Sequence, residues 1–373
     1  MRTRNALVAG FGLGGLVVLV LVVLSQGTFG WLGQRPAAAE LASPPAAPTA
    51  IPAATASPAG SPSGTPPPLA TGPGARAGEA LIYEPENHGV LLFGGATSHP
   101  APDGSNPVTT LADTWLWNGK SWRQLDVQGP PARSAAMVAY DSVRRVVVLF
   151  GGSGPEGAGL GKYFQDTWTW DGTQWQQQHP GHMPNPRMRA GMAFDERHGV
   201  TVMFGGEGEA NATYTATWTW DGVDWTLQDP ATVPPARHLF GMAYDAARGF
   251  VDLFGGSFAA ARLNDTWTWD GSNWYLQQAP PPAASGWAQL AYDTATKELV
   301  GYVYYGLDNH PTAEYTIAWN GVRWTDRTGS ADPSPRAEVR VAYDPESNQV
   351  VLFGPTAETW TWNGTAWSVW LPA

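Results

Sequence analysis

The chain has 373 residues, enough for one large domain or two ordinary ones, and its 44 Gly, 33 Pro and 20 Trp stand beside only 14% charged residues. That balance argues against a fold of solvated helices and for many short strands joined by turns. A formal net charge of −11, with no Lys/Arg cluster interleaved with aromatics, argues against nucleic acid as a partner, and the lack of cysteine removes disulfides, thiolate metal sites and Cys nucleophiles.

Residues 6–24, ALVAGFGLGGLVVLVLVVL, are uncharged and mostly apolar. At about 1.5 Å rise per residue they come close to the roughly 30 Å of bilayer hydrocarbon, so a transmembrane helix is expected within residues 1–35. Arg2 and Arg4 precede the run and Arg35 follows at a distance, which places the N-terminus in the cytoplasm and the rest outside. A cleaved signal peptide with a secreted product is the alternative. Ala37, Ala38 and Ala39 lie well beyond Leu24, and the run exceeds the usual roughly 7 to 15 apolar residues of a signal, which favours a retained anchor. Residues 36–75 hold 11 prolines and almost no charge; a disordered Pro/Ala-rich stalk in extended polyproline II is expected.

From residue 76 one pattern returns six times, over approximately 76–125, 130–178, 184–228, 234–277, 283–327 and 334–373. Its first half is clear in RSAAMVAYDSVRRVVVLFGG from Arg133, RMRAGMAFDERHGVTVMFGG from Arg187 and RHLFGMAYDAARGFVDLFGG from Arg237; copies also start at Arg76 and Arg336. Its second half is a tryptophan motif, DTWTWDGTQW in the second copy, centred on Trp117, Trp170, Trp220, Trp269, Trp319 and Trp362. Each copy reads as four short strands, with hairpins at the Tyr-Asp pair and at Asp-Gly or Asn-Gly. The two rings of Trp-x-Trp share one strand face and suit the wedge between neighbouring units. One four-stranded unit cannot bury both faces, whereas six closed in a ring cover one another, so a six-bladed β-propeller is expected.

These Arg, Tyr-Asp, Gly-Gly and Trp positions in register resemble the kelch repeat, in particular the galactose-oxidase-like bacterial kelch proteins, over residues 76–373. The resemblance implies an all-β propeller whose ring commonly closes by sharing a strand between the two chain ends. Here the first copy begins with its own first strand at ALIYE and the last ends with its own fourth at WSVW. The copper chemistry of galactose oxidase is not implied, because its cysteine crosslinked to tyrosine has no counterpart here.

Residues that recur from blade to blade fit the ring better than a reaction. Arg76, Arg133, Arg187, Arg237 and Arg336, with Asp113, Asp166, Asp265 and Glu358, are expected to pair structurally. Ligand-binding candidates lie where the repeat breaks. The fifth copy has Ser285 for the Arg, Tyr315 for the Asp and Ile317 for a Trp, and it carries Trp287, Tyr304, and then Asp308 and His310 in the following loop. The first copy has a long insertion at residues 96–112 with Asp103 and Asn106. His179 and His182 lack a third ligand, so no metal and no cofactor is expected. The function expected is a non-enzymatic extracytoplasmic module that binds a protein or glycan; the alternative is a carbohydrate-active enzyme of the sialic-acid epimerase or sialidase type.

Overall fold

The computed structural model describes residues 72–98, 107–155, 162–259, 261–279, 286–307, 310–329, 332–334 and 338–370. The apolar run at 6–24 and the stalk lie outside them. Among the described residues no helix is long and apolar enough to cross a membrane.

The chain forms six four-stranded antiparallel sheets, each built from consecutive strands of one stretch of sequence. In the second, Met137–Asp141, Val146–Phe150, Thr167–Trp170 and Trp175–Gln178 lie side by side. The innermost strands are Ala80–Glu84, Met137–Asp141, Gly191–Asp195, Gly241–Asp245, Trp287–Asp293 and Arg340–Asp344. Each packs on the next and the sixth packs on the first, so the ring is a six-bladed β-propeller.

Local sequence sets each turn. Asp141 accepts from the backbone N–H of Val143 (3.1 Å) and Arg144 (2.9 Å), closing the turn between the first and second strands. Asp171 does the same for Thr173 and Gln174 before the last strand, where Gly172 takes a φ of +93° that a side chain resists.

A six-fold set of side-chain bonds ties the blades. The last Trp of each motif donates its indole N–H to a Thr hydroxyl of the preceding blade: Trp175 to Thr114 (3.1 Å), Trp225 to Thr167, Trp274 to Thr217, Trp324 to Thr266 and Trp367 to Thr316. The sixth bond, Trp122 to Thr359 at 2.8 Å, spans the seam between the first and last blades. Closure therefore uses side-chain packing and hydrogen bonds between blades, and among the described residues no sheet takes strands from both chain ends. A second repeated bond is missing there. In the first four blades the second Gly of Gly-Gly donates its N–H to a carbonyl of the next blade, as Gly95 does to Arg133 at 2.9 Å, but the sixth blade has Pro355 at this position, which carries no N–H.

The two irregular copies differ from their sequence reading. The insertion after Gly95 begins and ends as a hairpin, Ala96–Ser98 paired with Val108–Thr110. In the fifth blade the second and third strands run long, Glu298–Leu307 and His310–Trp319, as a ribbon beyond the blade with a register shift between Tyr305 and Gly306. His310 thus opens a strand and is not in a loop: apolar and aromatic residues at GYVYYG continue the pairing past the point where Gly-Gly ends it elsewhere.

Candidate functional site at the axis

The recurrent arginines occupy one repeated setting. Arg133 is fully buried; its Nε donates to the Pro131 carbonyl (3.0 Å), Nη1 to the Gly151 carbonyl (2.9 Å), and both Nη atoms to the Asp166 carboxylate at 2.6 and 2.8 Å. Trp168 adds a 2.8 Å indole bond to the same carboxylate. Arg76 with Asp113 and Arg237 with Asp265 repeat the arrangement. In the third blade Ala216 stands at the Asp position; Arg187 keeps its bond to the Gly205 carbonyl (3.0 Å) and stacks 4.3 Å over the Tyr214 ring. Burial pulls the Arg187 guanidinium down to about 9. Glu358 accepts from the Trp360 indole at 3.0 Å; Arg336 lies outside the described residues. The central tryptophans Trp117, Trp170, Trp220, Trp269, Trp319 and Trp362 are all buried in the blade cores.

Two residues after each arginine the backbone turns left-handed: Gly78 (φ +66°), Ala135 (+55°), Arg189 (+55°), Leu239 (+57°) and Glu338 (+55°). Each costs a non-glycine residue about 1 kcal/mol or more. The conformation is held by hydrogen bonds that run from blade to blade around the axis. Ala135 N donates to Gly78 O (2.6 Å), Arg189 N to Ala135 O, Leu239 N to Arg189 O, and Gly78 N to Glu338 O across the seam. In the fifth blade Trp287 is extended, and the Tyr304 hydroxyl accepts the Glu338 N–H at 2.8 Å.

This ring carries charge at two of its positions, Arg189 in the third blade and Glu338 in the sixth, and in a ring of six those blades are opposite. Their side chains form an ion pair across the channel. Arg189 also pairs with Glu207 at 2.7 Å, and His238 Nδ1 lies 3.1 Å from Glu207 Oε2, close but without hydrogen-bond alignment. Burial pulls Arg189 down, yet the two glutamates hold it above its ordinary value, while burial keeps His238 below its own. Behind the ring sits Glu79, fully buried with neither carboxylate oxygen hydrogen-bonded. Burial pushes its carboxyl up to about 8, against the pull of Arg340.

Beyond the bridge the axis widens into a cavity of about 370 Å³ between the innermost strands. Its far rim is a ring of aromatics from the Tyr-Asp pairs, among them Tyr83, Tyr140, Phe194 and Tyr244. Several of the phenols tie back to a turn of the preceding blade, Tyr83 to Glu346 (3.2 Å) and Tyr140 to Glu86 (3.4 Å). Among the described residues no group of three His, Cys, Asp or Glu is placed to hold a metal ion.

Of the residues singled out for ligand binding, the structure brings Trp287 and Tyr304 together, their rings edge-to-face at 5.2 Å. Trp287 is half-buried under the Arg262 guanidinium, 5.3 Å from its ring, and Tyr304 is buried. Asp103, Asn106 and Asp308 lie outside the described residues, as does the side chain of His310. The axial groups Arg189, Glu207, His238, Glu338, Glu79 and Arg340 were not anticipated. Aligning the copies on their arginines would have exposed Arg189 and Glu338 as opposite charges at one repeat position, three copies apart. No family model matches the chain, and no curated protein matches it significantly.

Proposed function

We propose that this chain is a kelch-type propeller acting as a non-enzymatic recognition module, held outside a membrane by its N-terminal apolar segment and Pro-rich stalk. It binds a protein or a glycan through the loops at the arginine end of the ring. The observation that carries this reading is where the blades differ. The strand framework repeats, while the connections between second and third strands vary: a hairpin of Ala96–Ser98 with Val108–Thr110, a two-residue ladder of Ser257–Phe258 with Ala261–Arg262, and the long fifth-blade ribbon. Variable connections on a rigid scaffold are where recognition is built. The sugar-enzyme alternative calls for several convergent unpaired arginines and carboxylates, whereas Arg189 is held between Glu207 and Glu338, the repeated arginines Arg76, Arg133 and Arg237 are held by aspartates, and of the two arginines lining the axial cavity Arg340 alone makes no ion pair among the described residues.

The test is binding of the full chain to an array of glycans and envelope polymers and proteins, repeated with Trp287→Ala and with the 96–112 loop shortened. Specific binding lost in either variant while the fold survives supports the module and locates its face. Binding unchanged in both variants, or turnover of a sugar substrate, refutes it.

A further inference from the structure

We infer that the axial cavity is a binding site for a small amphipathic carboxylate, entered from the turn end of the ring, with the carboxylate on Arg340 and Gln289 and the hydrocarbon against the channel wall. This site lies away from the loops invoked above and stands or falls independently of them. About 370 Å³ is within the range of small-ligand sites, roughly 300 to 1,000 Å³. Exposed Glu196, Ala246 and Pro345 line it at the turns between first and second strands, so it reaches solvent there, while the Arg189–Glu338 pair crosses the other end.

The wall decides the body of the ligand. Side chains of Ala80, Ile82, Val138, Phe194 and Leu290 line it, on edge strands that pair with their sheets along one side only. Against these side chains a hydrocarbon gains about 25 cal/mol for each Å² taken from water, a gain that a polyhydroxylated ring largely forgoes.

The polar end decides the head. Four residues after each arginine position the blades carry Ala80, Met137, Gly191, Gly241, Gln289 and Arg340. The two polar side chains thus stand at one level on neighbouring strands, and both line the cavity. Arg340 donates from Nη1 to the Val339 carbonyl (3.0 Å) and makes no ion pair among the described residues. The acid it faces is Glu79. A Cβ on Gly191 would fall 2.4 Å from Phe240, so this position looks at the residue three after the arginine in the next blade, and across the seam that residue is Glu79. Every other blade is apolar there: Ala136, Ala190, Phe240, Ala288 and Val339. With its carboxyl raised to about 8, Glu79 holds its proton at neutral pH and leaves the Arg340 charge for a ligand. The other charged groups around Glu79 are Arg76 of its own blade and Glu338 of the sixth.

The full chain in lipid nanodiscs is titrated calorimetrically with decanoate below its micellar concentration, with decanol, and with glucuronate, empty nanodiscs serving as blank. Decanoate is expected to bind and glucuronate not to. Arg340→Met is expected to weaken decanoate about tenfold or more, the range for a hydrogen bond to a charged group, while decanol is held as before. Equal decanoate affinity in wild type and Arg340→Met, or no decanoate heat above the blank, overturns the proposal. Should Arg340→Met fail to fold, pH decides. Wild-type affinity for decanoate is expected to fall as pH rises through about 8, when ionised Glu79 competes for Arg340, and Glu79→Gln to abolish that fall; parallel pH curves for the two proteins overturn the proposal.

Discussion

The indole N–H of Trp122 in the first blade donates to the Thr359 hydroxyl of the sixth at 2.8 Å, so the seam between the chain ends carries the same bond as every interior blade contact. Thr359→Val keeps the shape and removes the acceptor. A buried N–H left unmade costs about 1–3 kcal/mol, so chemical denaturation should show a loss of that size. The interior equivalent, Thr217→Val beneath Trp274, should cost a similar amount. A seam variant with no effect would show that the ring is closed by other means.

Asp166→Asn tests the repeated arginine setting. Arg133 is fully buried and both its Nη atoms rest on this carboxylate. Removing one partner of a buried pair leaves an uncompensated charge, at a cost of about 3–5 kcal/mol. Burial acts to raise the Asp166 pKa, but the Arg133 hydrogen bonds and charge outweigh it and hold the group below its ordinary 3.8. The stability it contributes is therefore complete above that value and lost as pH falls through the lower folded one. Acid unfolding of the wild type should steepen below about pH 4, and the Asn variant should lack that component.

Glu79 has the opposite sign. Its folded pKa, about 8, stands above its ordinary 4.5, so ionisation is easier in the unfolded chain. Stability should fall as pH rises from 4.5 to about 8, by up to ~1.4 kcal/mol per pH unit. Buried Asp252, pushed up to about 6 chiefly by burial, adds to the lower part of that range, which makes pH 6 to 8 the diagnostic window. Glu79→Gln should flatten the curve there; an unchanged slope would assign the dependence to another group.

Gly94→Ala probes the close approach between blades. Gly94 sits at φ +65°, and a Cβ there would lie 2.6 Å from the Arg133 carbonyl oxygen. The left-handed backbone alone costs about 1–2 kcal/mol for a side chain, and the clash with backbone adds to it. A loss of more than about 2 kcal/mol is expected by denaturant titration, against little effect for Gly199→Ala beyond the conformational cost, since that Cβ meets nothing within 4 Å.

What the sequence revealed of the fold is what repeats. Trp170, Arg133 and Asp166 could be placed because six, five and four copies respectively put the same residue type at the same spacing, which marks a repeated structural unit. The axial groups were hidden for the converse reason. Arg189 and Glu338 are 149 positions apart, each a single departure at its place in the repeat, and only the closed ring makes them neighbours. Glu79 is a single departure of the same kind, an acid at the position that Ala136 and Phe240 hold in other blades, and that position is what buries it. The fifth-blade ribbon was half legible: GYVYYG announced a strand, but nothing in the letters showed that pairing would continue past Gly306 to His310.

A sheet shared between the chain ends would fix where the polypeptide begins. Here every sheet is contiguous, so the seam is covalently equivalent to a missing linker between Trp370 and Arg76. Gene duplication or loss of one whole copy would leave every remaining sheet intact, and a permuted chain joined at the seam and opened between any other two blades would carry the same strand pairings. Ring size in this architecture therefore rests on how the wedges between blades fill, the last tryptophan of each motif against Phe93, Phe150, Phe204, Phe254, Tyr302 or Phe353 of the blade before it, and not on the path of the backbone.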